Sequence, residues 1–300
     1  MTLSWTPGHV VSPELARSLI AAQFPELETD QVELFGEGWD NTAYLVDGRV
    51  VFRFPRRTIA VELIDTEVRV LPRIAPLLPL PIPVPRWPGR PDQGYPWPFA
   101  GYEHLPGRVA SDAGLDDAGR ERAAPVLGRF LAALHRVDPA GLDLPGDTIA
   151  RADMTERADR MRERIAGAAA RGLVGDPQPV LRLLDELPLR PPPAPARVCH
   201  GDLYARHLLV GEDGRPCGVI DWGDVHAGNP AVDLAIAHGF LPPSARGAFL
   251  DAYGPVDEGA WAFARLRALH YCTVLLPYAD DMGDAPLLRE ATLSLRYVSS

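Results

Sequence analysis

The sequence predicts an α+β chain of two lobes, a small β-rich front over residues 1–104 and a larger, mostly helical back over 105–300. Three observations carry this. Short β-like runs joined by turn residues crowd the first third of the chain. A dense proline stretch ending in a Pro106-Gly107 break follows. Beyond it, apolar residues recur at helical spacing almost to the end, interrupted by two loops that each carry an aspartate, Asp202 and Asp221. A length of 300 residues is also more than one hydrophobic core usually serves.

Taken in order, Ser12-Pro13-Glu14 offers an N-cap, a proline for the first turn and an acidic residue, with Leu15, Leu19 and Ala22 following at helical spacing. A short amphipathic helix therefore opens the front lobe. Residues 32–35, 44–46 and 50–54 read as strands, the last two joined by Asp47-Gly48, a strong hairpin signal. Over 58–74, Ile59, Leu63, Thr66, Val70 and Ile74 fall broadly on one side of a helix. Prolines then crowd 76–98, where each removes a backbone donor, so helix is excluded and strand is allowed only at an edge. An extended crossing segment is predicted there, then a strand over 99–104. In the back lobe, 119–136 reads as a helix with Val126, Phe130, Leu131 and Leu134 inward, and 154–188 as further helices. The run 190–195, rich in proline, is a stiff connector to the Asp202 loop, and the chain from 231 onward is mostly helical by period.

Composition narrows the partners. An apolar fraction of 46% and a charged fraction of 23% suit a globular protein, and a net charge of −10 argues against a nucleic-acid partner, which needs a basic surface. All 30 basic residues are arginine, so any role given to lysine elsewhere falls here to arginine or lapses. Three widely spaced cysteines without a CxxC pair read as reduced thiols. Residues 1–10 lack a basic region followed by an apolar run, and no 18-residue apolar stretch occurs, so a cytoplasmic protein without membrane contact is expected, a monomer or weak dimer.

The chemistry sits in a few short strings. Gly36-Glu37-Gly38-Trp39-Asp40-Asn41 lies between two strands, where Gly36 and Gly38 let backbone amides approach phosphate oxygens, with Asn41 at the third position; a plain hairpin turn is the alternative. Alternation through 50–54 puts Val50, Phe52 and Phe54 on one face and Val51 and Arg53 on the other. If the first face packs on the core, Arg53 can clamp nucleotide phosphates with its charged fork and Val51 can touch a purine. A carboxylate of the next helix should orient Arg53, either Glu67, just ahead of Val70 and Leu71, or Glu62. Backbone over Glu103, His104 and Leu105 is placed to meet the base.

Asp202, after His200-Gly201, can accept a hydrogen bond from an attacking hydroxyl and take its proton. Asp221, at the end of the apolar run 218–220, is placed to bind Mg2+. His200 and Asp233 are expected to brace the loop. The strings His200-Gly201-Asp202-Leu203, Ile220-Asp221-Trp222 and Gly228-Asn229-Pro230-Ala231-Val232-Asp233-Leu234 resemble the aminoglycoside and macrolide phosphotransferases, antibiotic kinases with a protein-kinase-like fold, and the likeness extends over nearly the whole chain. The resemblance implies an NTP- and Mg2+-dependent enzyme that phosphorylates a hydroxyl of a small molecule, with Asp202 catalytic and ATP or GTP as donor.

The chain departs from most of that family at two positions. Arg53 stands where a strand lysine is usual, and His207 where asparagine is usual five residues after the catalytic aspartate. Macrolide and gentamicin-type kinases resemble this chain in carrying the histidine, which makes His207 the second metal residue beside Asp221. A protonated imidazole cannot ligate, so this role predicts activity lost as pH drops through the usual histidine range near ~6.5. The alternative is a structural His207 hydrogen-bonded to Asp202 or Asp221. For the acceptor, Asp280 and Asp281 next to Tyr278, with Trp261 nearby, could line a pocket for a polyamine-like antibiotic, while the aromatics would suit a macrolide. A metabolic kinase of the same fold acting on a sugar, amino alcohol or fructosamine, and a silent nucleotide-binding module, are the competing readings.

Overall fold

A computed structural model describes residues 9–38 and 40–300; the expectation for the leader region falls mostly on residues outside these. The chain divides into two compact units, one of residues up to Pro76 with Pro81–Leu105 and Trp222–Asp224, the other of Leu77–Leu80, Pro106–Asp221 and Val225–Ser300.

In the first unit, α1 (Pro13–Gln23) is capped by the Ser12 hydroxyl, which accepts from the Leu15 N–H. An antiparallel sheet of β1 (Val32–Glu37), β2 (Asn41–Val46), β3 (Val50–Pro55), β4 (Pro85–Gly89) and β5 (Phe99–Glu103) runs in the order β1-β2-β3-β5-β4. The alternation of β3 is realised: Val50, Phe52 and Phe54 enter a core with Leu19, Ile20, Tyr44 and Phe99, while Val51 and Arg53 lie half-buried on the other face. Position 101 of β5 must be glycine, since a Cβ there would stand 2.6 Å from the Phe52 ring. Two expectations need correction. Part of the proline run is a strand, β4, and it pairs only with β5 at the sheet edge, where missing N–H groups cost no ladder bonds. The helix α2 (Thr58–Ile74) buries Ala60, Ile64, Thr66, Glu67, Val70, Leu71 and Ile74, so Thr66, Val70 and Ile74 face inward as expected, while Leu63 is half-buried and Ile59 is 58% exposed.

The second unit carries the helices. After β6 (Arg108–Val109), α3 (Asp117–Leu134) is capped by the Asp116 carboxylate on Gly119 N–H and buries Leu127, Phe130, Leu131 and Leu134; Leu127 takes the inward place expected of Val126. Next come α4 (Ala158–Ala170), α5 (Gln178–Glu186), β7 (Arg197–Cys199), β8 (Leu208–Val210), β9 (Pro216–Val219), β10 (His226–Gly228), α6 (Ala235–Gly239), α7 (Arg246–Tyr253), α8 (Glu258–Met282) and α9 (Ala285–Ser299). One core joins Met161 and Ile165 of α4, Val180 and Leu184 of α5, and Phe263, Leu266 and Leu269 of α8. Two small sheets, β6-β8-β9 and β7-β10, hold the loops that carry Asp202 and Asp221. Among the described residues no helix is long and apolar enough to cross a membrane.

Candidate active site

Asp202 lies in the loop that leaves β7, and Asp221 follows β9 two residues past the strand end. Three polar side chains hold these loops, and two of them, His200 and His207, join one to the other. Asp233, fully buried, accepts the His200 N–H at 2.7 Å and the Gly201 N–H at 2.9 Å, and its Oδ2 stands 3.1 Å from Nε2 of His135. Burial pushes its carboxyl up, but the His135 hydrogen bond and charge, helped by His200 and the Gly201 amide, reverse this and hold it at about 2. His200, also fully buried, accepts the Asp202 N–H at Nδ1, so Nε2 carries the hydrogen and donates to the Ile220 carbonyl at 3.0 Å. Burial lowers its pKa, as a neutral bridge requires. His200 thus links the base of one loop to the residue preceding Asp221.

The third is His207. Its Nδ1 lies 2.6 Å from the Asp202 carbonyl, which can only accept, so Nδ1 carries a hydrogen. Its Nε2 lies 3.2 Å from Oδ2 of Asp221. One imidazole therefore spans the two aspartate loops, and the structural alternative foreseen for His207 is realised with both residues at once. Burial alone would lower its pKa, but the Asp221 hydrogen bond and charge, with Asp202, raise it to about 9. The titration expected near ~6.5 is displaced upward for this reason.

The pair His207 and Asp221 meets a cation only when the imidazole gives up the hydrogen that Nε2 holds toward Asp221, since ligation requires the neutral ring and releases its proton. A histidine that ligates through Nε2 commonly gives its Nδ1 hydrogen to a backbone carbonyl, which is the arrangement of His207. The 3.2 Å between Nε2 and Oδ2 is close to the spacing of neighbouring ligands around an ion with bonds of about 2.1 Å. Asp221 is half exposed, and it holds a left-handed backbone with φ of 63°, a conformation uncommon outside glycine. The set of three potential ligand atoms lying within 4.8 Å of one another among the described residues is a different one, His135, Cys199 and Asp233. It is buried, and its carboxylate is already filled by two amides and an imidazole.

Asp202 itself is aimed by a residue the sequence did not single out for this role. Tyr271 of α8 donates its hydroxyl to Oδ1 of Asp202 at 2.9 Å and stacks on Tyr204, with ring centroids 5.2 Å apart. The tyrosine is 69 positions away in the chain, and no local pattern could have joined the two. The Asp202 side chain keeps 31% exposure, and its other oxygen, Oδ2, lies 3.6 Å from Nδ1 of His207.

In the first unit, Arg53 Nη1 contacts both carboxylate oxygens of Glu67, at 2.9 and 3.0 Å, and Tyr102 donates to Glu67 Oε2 at 2.6 Å. Glu67 is therefore the orienting carboxylate, and Tyr102 is the partner missed from the sequence. Burial, with the Glu67 charge, raises the Tyr102 pKa, so the phenol stays a donor. Val51 pairs in register with Tyr102. Of the backbone expected to meet a base, the His104 N–H is given to the Arg49 carbonyl at 2.8 Å, and the Glu103 side chain is paired with Arg86. Leu105 is half-buried.

The glycine turn is shorter than expected, because β1 runs through Gly36 by way of a bulge and Asn41 opens β2. Gly38 N–H closes the turn on the Asn41 carbonyl at 2.9 Å, and Trp39 lies outside the described residues. Packing does not demand either glycine: a Cβ at Gly36 would meet nothing within 4 Å, and at Gly38 only the Asn41 carbonyl at an ordinary 3.7 Å.

Of the residues expected to line an acceptor pocket, Tyr278 stays close enough to Tyr204 to influence its ionisation. Asp280 and Asp281 both pair with Arg171, which offsets one of their two charges, and Trp261 packs on the His238 ring at 4.2 Å and on Phe249. Ten residues of α8 separate Trp261 from Tyr271, about 15 Å of helix.

The family model described as the phosphotransferase enzyme family matches residues 31–269. The chain is similar to the GDP complex of wild-type aminoglycoside 2'-phosphotransferase-IIIa, with a TM-score of 0.69, 21% identity, and 96% and 98% of the two chains covered. It is likewise similar to the macrolide 2'-phosphotransferase MphH from Brachybacterium faecium, with a TM-score of 0.59, 24% identity, and 94% and 97% covered. Among curated proteins, the uncharacterized protein YcbJ of Bacillus subtilis (strain 168) is 27% identical over 70 residues, and this match spans 23% of each chain. The fold is the α+β fold of these kinase-like enzymes, and the match over most of its length means that the chain belongs to the phosphotransferase enzyme family.

Proposed function

We propose that this protein is an NTP- and Mg2+-dependent O-phosphotransferase acting on a hydroxyl of a small molecule, with Asp202 as the catalytic base. The observation that carries the reading is the joining of Asp202 and Asp221 through His207, with Tyr271 aiming the Asp202 carboxylate. Asp202 would orient the acceptor hydroxyl and take its proton late in transfer, the role a loop aspartate has in kinase-type phosphoryl transfer. His207 and Asp221 would hold Mg2+, which when bound neutralises charge on the phosphate oxygens. Arg53, oriented by Glu67, is assigned to the nucleotide phosphates, with Gly36, Gly38 and Asn41 in the phosphate-facing turn and Val51 with Glu103 to Leu105 at the base. Rate enhancement then comes mainly from positioning and charge stabilisation.

The structural neighbours named above act on aminoglycosides or macrolides, which makes an antibiotic hydroxyl the first acceptor to test. A metabolic small-molecule acceptor is the second reading, favoured by the pairing of Asp280 and Asp281 with Arg171, which reduces the acidic lining a polycation would want. The test is turnover of ATP and of GTP with Mg2+ against a panel of both acceptor types, read as gain of one phosphoryl group in the product mass. No transfer to any hydroxyl from either nucleotide would refute the reading. Arg53→Ala is expected to weaken nucleotide binding about tenfold or more, as for loss of a charge-assisted phosphate contact, in calorimetric titration. Wild-type affinity in that variant would remove Arg53 from the clamp.

A further inference from the structure

Arg157, Arg160 and Arg164 recur at three and four residues and so share one side of α4 and its first turn. Arg267 and His270 stand on α8, which shares its core with α4. The imidazole of His270 is held down at about 3, first by burial and then by the charges of Arg267, Arg164, Arg157 and Arg160, so all five groups lie together. Arg157 is fixed by the carbonyls of Ala150, Asp153 and Ile149. The carboxylate that acts on it, Asp147, is already paired with Arg151 at 3.2 Å. Arg160, Arg164 and Arg267 have no ion pair within 4.0 Å among the described residues.

Arg267 is the central member. It is 5% exposed, lies over the Tyr271 ring at 4.9 Å, and reaches the Gly201 carbonyl and the Tyr271 hydroxyl at 3.3 Å each. Tyr271 in turn donates to Asp202, so Arg267 stands two hydrogen bonds from the catalytic carboxylate. Its Nε, and Nδ1 of His270, are buried without a hydrogen-bond partner among the described residues. Buried polar groups left in this way are costly, and clustered like charges add to the cost. The clustered positive charge is relieved by a ligand that brings negative oxygen.

We infer that the acceptor carries an anionic oxygen group, phosphate or carboxylate, bound by Arg160 and Arg164 at the mouth of this cluster while its hydroxyl meets Asp202. The inference rests on the phosphotransfer reading and narrows its acceptor: the four arginines repel a polycation, so specificity is set against aminoglycosides as well as toward anions. Such an acceptor belongs with metabolic hydroxy acids or sugar phosphates.

Two measurements test this on the full chain. In the first, inorganic phosphate is titrated calorimetrically into the wild type, the double variant R160Q/R164Q, and Arg53→Gln. Binding about tenfold or more weaker in the double variant, and retained in Arg53→Gln, is expected. In the second, kcat and KM are compared for matched acceptors with Mg2+ and ATP or GTP: a polyol against its monophosphate, a hydroxy acid against its amide, and an aminoglycoside. The anionic member should be favoured about tenfold or more through KM, the phosphate and carboxylate arms separating the two anions, and R160Q/R164Q should level the difference. Equal phosphate binding by wild type and double variant, or preference for the neutral member or the aminoglycoside, overturns the inference. Phosphate binding lost in the double variant, with no transfer to any acceptor, upholds the anion site and counts against the phosphotransfer reading alone.

Discussion

Asp202→Asn is expected to lower kcat about 10²- to 10⁴-fold, the range for loss of a positioned general base, while nucleotide affinity stays near that of the wild type. The substitution is close to isosteric, and the loop around it is held independently of the lost charge. His200 still accepts the Asp202 N–H, Asp233 still holds the amides of His200 and Gly201, and His207 still meets the backbone carbonyl of position 202. What disappears is the ability to draw the acceptor proton at an oxygen aimed by Tyr271. Tyr271→Phe separates aiming from base chemistry. It should cost a smaller factor, on the order of tenfold in kcat, because one hydrogen bond of roughly 1 kcal/mol is lost and the carboxylate remains. Single-turnover measurement with saturating nucleotide distinguishes these from a binding defect. Turnover by Asp202→Asn within a few-fold of wild type would dismiss it as the base.

The parts of the molecule that could be read from the sequence are those written in short-range periodicity. The two-residue alternation of β3 placed Phe52 and Phe54 inward and Arg53 opposite, because a half-buried strand admits only one phase. The choice between Glu67 and Glu62 was also present in the helical phase: Ala60, Ile64, Glu67, Leu71 and Ile74 repeat at four and three residues along the buried line of α2. It was obscured by Ile59, an apolar residue that faces outward at 58% exposure. Contacts between distant segments left no such trace. Tyr102 reaches Glu67 across 35 positions, and Tyr271 reaches Asp202 across 69. Arg171 pairs with the acidic stretch from 109 positions away, so the charges at 280 and 281 were visible while their partner was not. The basic cluster on α4 and α8 was hidden for the same reason, since each arginine taken singly reads as a solvated helix charge and only the packing of the two helices makes them one surface.

Asp233 is where the sequence expectation of a brace and the observed geometry coincide, and its removal gives the second large effect. Asp233→Asn keeps the shape but replaces an acceptor-only carboxylate with an amide that presents two hydrogens toward a site already holding two backbone donors. At least one of the His200 and Gly201 N–H groups is then left buried without an acceptor, and the contact to His135 loses its charge. A loss of stability on the order of 3 kcal/mol is expected, at about 1–3 kcal/mol for each buried donor left unsatisfied. The pH dependence gives an independent signature. Because the folded-state carboxyl is held at about 2, below its unfolded value near ~3.9, its contribution is fully present above the unfolded value and is lost as pH falls through the folded one. The variant has no such carboxyl, so urea midpoints compared between pH 7 and pH 2 should differ most from wild type at neutral pH and converge in acid. Because both amides precede Asp202 directly, the variant that survives folding should also lose turnover at unchanged nucleotide affinity, as the base drifts from its aimed position. Wild-type midpoints across that pH range would mean that Asp233 does not hold the loop.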